Sequence, residues 1–194
     1  MGRASGRPPE QTRRLILQAT AHVVRSHGLN ATLDDIADRA GISKGGVVYH
    51  FLSKDELIKA LAIDLFESFR TSVATHLNPD DAQPGRLTRA YIRACLDTSQ
   101  DETTAREDTI LTAQLTTSPE IADLAKADAE QWRTDLYADG LPDDIVALII
   151  AAADGATSAA IWGGVTQPRD YQRIQRQLIA LTCDPVLWRR LDTP

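Results

Sequence analysis

Between Thr32 and Lys54 the segment TLDDIADRAGISKGGVVYHFLSK specifies two short helices, the turn between them and the opening of a third. Thr32 is a good N-cap, and Asp35 stands three residues later, where a carboxylate answers the cap and favours a helix N-terminus. The helix that starts there carries Ile36 and Ala40 on one face, and Ala37 is small enough for a second helix to cross closely. Gly41 closes it, because glycine enters a left-handed turn at little cost, and Ser43 caps a further helix running to about Phe51. Two helices joined in this way make a helix-turn-helix, the arrangement that delivers a short helix into the DNA major groove.

The flanking sequence reads as helical too. Pro9 to His27 carries Leu15, Ile16, Ala19 and Val23 on one stripe and stops at Gly28. From Lys54 to Leu77, Leu57, Leu61, Leu65, Phe69, Val73 and Leu77 recur every four residues, which predicts a long amphipathic helix joining a head to a body. Asn78 to Gly85, with Pro79 and Pro84, is a loop. Helices follow around Leu87, Tyr91, Ala94 and Cys95, over about Thr104 to Thr116, and from the Ser118-Pro119-Glu120 start to about Asp139. Pro142 to Val165 is apolar or small nearly all round, so it needs cover on more than one face, part of it from a second subunit. Pro168 restarts the chain, and Tyr171, Ile174, Leu178 and Leu181 form a near-heptad stripe. No strand-like alternation interrupts the pattern. The expected fold is all-α, with an N-terminal arm and three-helix domain at residues 1–53 and a larger body of about six helices at 54–194.

The net charge of -6 is at odds with nucleic-acid binding until it is divided along the chain. Residues 1–55 hold eight Lys or Arg against five acids, and the remainder thirteen against twenty-two, so a head of +3 sits on a body of -9. Arg3, Arg7, Arg13 and Arg14 sit among Gly, Ser and Pro ahead of the first periodic stripe, and the first eight or so residues are an expected mobile arm that either enters a groove or simply solvates the terminus. No apolar run reaches the length of a membrane span, and the N-terminus has no signal-like apolar stretch, so no membrane partner and a cytoplasmic location are expected. Cys95 and Cys183 are too few and too far apart for a disulfide framework or a CxxC site. His22, His27, His50 and His76 form no i, i+4 pair, and no nucleotide or nucleophile-elbow motif occurs, so no metal, cofactor or catalytic residue is expected.

Ile36-Ala37, Ala40-Gly41-Ile42-Ser43, Tyr49-His50-Phe51 and Ser53-Lys54-Asp55-Glu56-Leu57 resemble the N-terminal signature of TetR-type transcriptional repressors, a match covering roughly residues 12–61. The resemblance implies a homodimer on a palindromic double-stranded DNA operator, with the last two long helices in a four-helix bundle with their symmetry mates. It implies a small-molecule effector held in the body. One departure stands out: the family pattern usually has an aromatic residue where this chain has Val48, so a contact made there by a hydroxyl is missing.

Candidate DNA-contacting residues are Thr32, Ser43, Lys44, Gly45, Gly46, Val47, Tyr49, His50 and Lys54. Lys44 sits in the first turn of the recognition helix, where a side chain reaches base edges or phosphate. Gly45 and Gly46 lower helix propensity by about 1 kcal/mol each relative to alanine, so close approach to DNA or a tolerated frayed turn must account for them. Tyr49, His50 and Lys54 carry donors suited to phosphate, whereas Phe51 reads as core. For an effector, mostly apolar with few polar contacts, the candidates are Phe66, Phe69, Tyr91, Trp132, Asp154 and Trp162, each of which also has a plain core reading. Asp154 either neutralises a cationic ligand or is a satisfied packing residue. A constitutive or architectural DNA binder without a ligand, and a helical enzyme or protein-interaction module, are the alternatives.

Overall fold

The computed structural model describes residues 8–96, 102–162 and 168–191, and among these every regular element is a helix. In order they are α1 (Pro9–His27), a 3-10 turn (Gly28–Asn30), α2 (Leu33–Ala40), α3 (Lys44–His50), α4 (Lys54–Thr75), α5 (Arg86–Cys95), α6 (Glu102–Leu115), α7 (Pro119–Tyr137), α8 (Asp143–Trp162), α9 (Pro168–Thr182) and α10 (Pro185–Leu191). The chain forms two compact units, Met1–Phe66 with Ile110–Ala125, and Glu67–Thr109 with Lys126–Pro194. Compactness thus divides the chain within α4 rather than at its start, and assigns the end of α6 and the start of α7 to the first unit. The expected arm, including Arg3 and Arg7, lies outside the described residues.

In the first unit the caps settle the local geometry. The Thr32 hydroxyl accepts from the Asp35 N–H at 3.2 Å, and the Asp35 carboxylate accepts from the Thr32 N–H at 3.0 Å, a reciprocal capping box. Gly41 takes the left-handed conformation (φ 66°) that ends α2, and its N–H returns to the α2 carbonyls. The Ser43 hydroxyl then accepts from the Gly46 N–H at 3.1 Å and opens α3. Ile16, Val24, Ile36, Val47, Phe51 and Leu57 are fully buried together, with Leu111, Leu115 and Ile121 in the same core.

The second unit closes around Ala90, Ile92, Leu96, Leu136, Ile145, Val146, Ile149 and Ala153. Arg89 is 3% exposed, yet its charge is met: Nε and Nη2 grip the two oxygens of Asp81 at 2.7 and 2.8 Å, and further N–H groups donate to the Pro84 and Gln83 carbonyls and to the Thr182 hydroxyl. One buried guanidinium therefore ties the loop before α5 to the end of α9. Gly85 (φ 84°) is required there, because a Cβ would lie 2.8 Å from Leu141 Cδ1.

Two expectations need correction. The stripe of α9 was expected to face a second subunit, but Leu178 and Leu181 are each only 8% exposed and lie in the core of their own unit, with Tyr171 and Ile174 packed against it. The body also has one helix more than the sequence suggested, since Pro185 sits at the first position of the short α10 and Trp188 Nε1 donates to the Leu181 carbonyl at 2.5 Å. Apolar surface is left uncovered on α8, where Ala147, Leu148, Ala151 and Gly155 are exposed opposite the buried Ile145, Ile149 and Ala153, and on α10, where Val186 and Leu187 are exposed. Because Leu178 is an internal core residue, Leu178→Ala should lower the unfolding free energy by about 2–5 kcal/mol in a urea titration, by a similar amount at low and high protein concentration.

Candidate nucleic-acid interface and aromatic cluster

The helix α3 has one face in the core and one in solvent. Val47 and the following Phe51 are fully buried, while Lys44, Gly45 and Tyr49 are exposed, Tyr49 by 83%. Val47 was a candidate DNA contact, and its burial makes it an anchor instead. A Cβ added at Gly45 would meet nothing of this chain closer than Ser43 Oγ at 4.0 Å, so packing within the protein does not demand a glycine there. Gly46 is tighter, at 3.4 Å from Ser43 Oγ.

Several of the candidate polar groups already have internal partners. Lys44 Nζ pairs with Asp34 at 2.9 Å, both side chains well exposed, an arrangement worth little and easily exchanged. Lys54 Nζ donates to the Leu29 carbonyl at 2.7 Å, which joins the start of α4 to the turn after α1. Thr32 and Ser43 are exposed but use their hydroxyls as caps, and the Thr32 hydroxyl, then its N–H, hold the Asp35 carboxyl below the usual carboxylate range. The His50 ring is half-buried and meets the Tyr49 ring edge to face at 5.2 Å.

Arg13 was grouped with the basic arm and given no role in the site. It lies within α1, where Nη1 donates to the His50 carbonyl at 3.2 Å and the guanidinium stacks 4.1 Å from the centre of the Phe51 ring. It secures the C-terminal end of α3, a task no local pattern reveals because the partner is distant in sequence.

Within the second unit four helices contribute to an aromatic cluster. Phe69 of α4, Tyr91 of α5 and Trp132 of α7 stand with ring centres 5.4–5.6 Å apart in edge-on or tilted contact. The Tyr91 hydroxyl donates to Asp154 of α8 at 2.6 Å. Asp154 is exposed along one side, and partial desolvation pushes its carboxyl up against the Tyr91 hydrogen bond, while burial together with the Asp154 charge pushes the Cys95 thiol up to about 12. Arg70 lies 4.6 Å from the centre of the Trp132 ring with its charge met by Asp128 at 2.6 Å. Trp132 Nε1 is buried and has no acceptor among the described residues. Of the remaining candidates, Phe66 packs against the core of the first unit and is not part of this cluster, and the Trp162 side chain lies outside the described residues.

Comparison with known proteins accounts for both units. The family described as bacterial regulatory proteins, tetR family, matches residues 16–61, and the tetracyclin repressor-like C-terminal domain matches residues 85–183. The chain belongs to the TetR family. Its relatives are transcriptional regulators rather than enzymes. The chain is 37% identical over 92 residues to the transcriptional repressor KstR2 of Rhodococcus jostii, covering 45% of this chain and 44% of that one. It is 37% identical over 68 residues to the regulator BetI of Cronobacter sakazakii, covering 34% of each. The chain thus spans less than half the length of these two curated relatives. In fold it resembles a transcriptional regulator from Pseudomonas aeruginosa (TM-score 0.73, 17% identity, 92% of this chain and 93% of that one). It also resembles the multidrug binding protein EbrR complexed with malachite green (TM-score 0.67, 24% identity, 88% of this chain and 97% of that one). No helix among the described residues is long and apolar enough to cross a membrane.

The direction of the Asp154 shift has a consequence for stability. A carboxyl whose folded pKa is raised is protonated in both states at low pH, where it exacts no penalty, and destabilises the fold progressively as pH rises from the unfolded pKa through the folded one. Asp154→Asn, which still offers Tyr91 an acceptor, should therefore raise the melting temperature at pH 7, with the gain fading as pH falls toward the ordinary carboxylate range of about 4; thermal melts across pH test this.

Proposed function

We propose that the chain is a repressor that binds a palindromic operator as a homodimer and is released by a small, mostly apolar effector. The observation that carries the DNA half is the contrast on α3: Val47 and Phe51 anchor it, whereas Lys44, Gly45 and Tyr49 face outward with no packing role for Gly45. On this reading Lys44 exchanges Asp34 for a base edge or phosphate, and Tyr49, His50, Thr32, Ser43 and Lys54 position the backbone of the DNA. Gly45 and Gly46 let that backbone approach closely. The exposed side of α8 around Leu148, Ala151 and Gly155 is the surface offered to a second subunit.

For the effector the support is the cluster of Phe69, Tyr91, Trp132 and Asp154. EbrR, similar in fold, is a multidrug binding protein solved with malachite green, and KstR2 is a repressor; both precedents favour a ligand-released repressor here. Helix α4 is continuous from Leu57 to Val73, so a ligand held beside Phe69 acts on the helix whose first turn follows α3. Release requires the ligand to prefer the DNA-incompetent state, and a tenfold loss of operator affinity needs about 1.4 kcal/mol of such preference.

In operator titrations Lys44→Ala should weaken binding by roughly 1–3 kcal/mol and Tyr49→Phe by about 1 kcal/mol. Gly45→Ala separates the two explanations for that glycine: close approach predicts a fold stabilised by about 1 kcal/mol together with weaker DNA binding. Undiminished affinity in all three variants would remove α3 from the interface.

A further inference from the structure

We infer that Asp34 is a specificity-determining residue, which withholds Lys44 from phosphate and leaves it available to base edges. The inference rests on α3 as the DNA-facing helix and chooses between the two acceptors named for Lys44. Asp34 is the second residue of α2, and Lys44 the first of α3. Their side chains meet at 2.9 Å across the turn, with 56% of the lysine and 66% of the aspartate exposed, so both are open to an arriving ligand. The α2 N-terminus is already answered by Asp35, which completes the capping box with Thr32, so the cap leaves the Asp34 carboxylate to Lys44. Arg13 and Lys54 donate to carbonyls, which hold the two groups in place and leave their charge intact. Lys44 donates to a carboxylate, which cancels its charge toward an anion arriving from solvent.

The pair discriminates because the two acceptors differ in charge. A phosphate offers the ammonium one anionic oxygen in place of another, and it brings a like charge within a Debye length, about 10 Å at 0.1 M salt, of Asp34. A guanine edge carries no net charge and presents O6 and N7 together, so it gives the ammonium more than one carboxylate oxygen does and leaves Asp34 unrepelled. The pair itself contributes little to stability, both groups being exposed. Its weight lies in the balance of charge. Residues 1–55 carry a net +3, so one neutralised lysine removes a large share of the attraction that draws the head to any DNA. Gly45 and Gly46 follow Lys44, and neither brings a side chain that competes with Asp34 for the ammonium.

The test uses the full chain, a duplex of scrambled sequence and a duplex selected from a random pool, with affinity followed against salt. On the scrambled duplex Asp34→Asn is expected to steepen the slope of log affinity against log salt by about 0.9, the mark of one further phosphate contact, and so to add about 3.5-fold to the loss of affinity between about 50 and 200 mM salt. On the selected duplex the gain at low salt should be smaller, so that the ratio of selected to scrambled affinity falls. In a Lys44→Gln background Asp34→Asn should change neither duplex. Asp34→Ser, a second neutral variant that keeps an oxygen in the first turn of α2, should behave as Asp34→Asn does. A gain on the scrambled duplex that persists in the Lys44→Gln background overturns the proposal, since Asp34 then acts as a general negative charge. So does an equal gain on both duplexes, or an unchanged slope in whichever neutral variant melts as the wild type does. Lys44→Gln without effect on either duplex would instead remove α3 from the interface, and with it the reading on which the inference rests.

Discussion

Seven residues of α-helix, two of them glycine, do not hold together in water, since nucleating so short a helix outweighs the few hydrogen bonds it returns. The shape of α3 is therefore imposed from outside. Gly41 and Ser43 set its entry, Val47 and Phe51 pin one side to the core, and Arg13 holds the last carbonyl through a hydrogen bond and the Phe51 ring by stacking. With that side fixed, Lys44, Gly45 and Tyr49 have one direction left to face. A family whose function depends on a presented helix thus rests here on Val47 and Phe51, which do not themselves reach solvent.

The second unit shows the same division between satisfied and unsatisfied groups. Arg89 is almost completely buried and makes bonds to two carbonyls, a carboxylate and a hydroxyl, so its charge supports the structure rather than straining it. The Trp132 indole N–H is buried with no acceptor among the described residues, beside the rings of Phe69 and Tyr91. An unpaired buried N–H is unfavourable in the isolated chain and gains an acceptor once a complementary ligand arrives, which supports the proposal that the cluster holds the effector.

Local chemistry was readable from the sequence wherever the interacting residues are near neighbours. Thr32 with Asp35, Gly41, Ser43 and the proline starts of α1, α7 and α9 lie where caps and turns determine the backbone, and Phe51 was legible as core. Positions whose surroundings come from distant residues were not. Val47 looks like part of an exposed recognition face but is buried in one core with Ile36 and Leu57, and the Arg13 contact with His50 has no local signature. The Leu178 stripe has the spacing of a helix seam, but spacing alone does not say whether the facing surface belongs to the same chain, and here it does. Phe66 and Phe69 are three residues apart on one helix, yet they pack into different cores.

The central claim is that the outward side of α3, presented twice by a symmetric pair, reads DNA sequence. Its most direct measurement is selection of bound duplexes from a random-sequence pool by the full chain, followed by footprinting of the selected DNA. The account predicts an inverted repeat with half-sites about one helical turn apart or more, protected in successive major grooves. A pool that remains random after repeated rounds, with affinity that follows only the salt concentration, would contradict it.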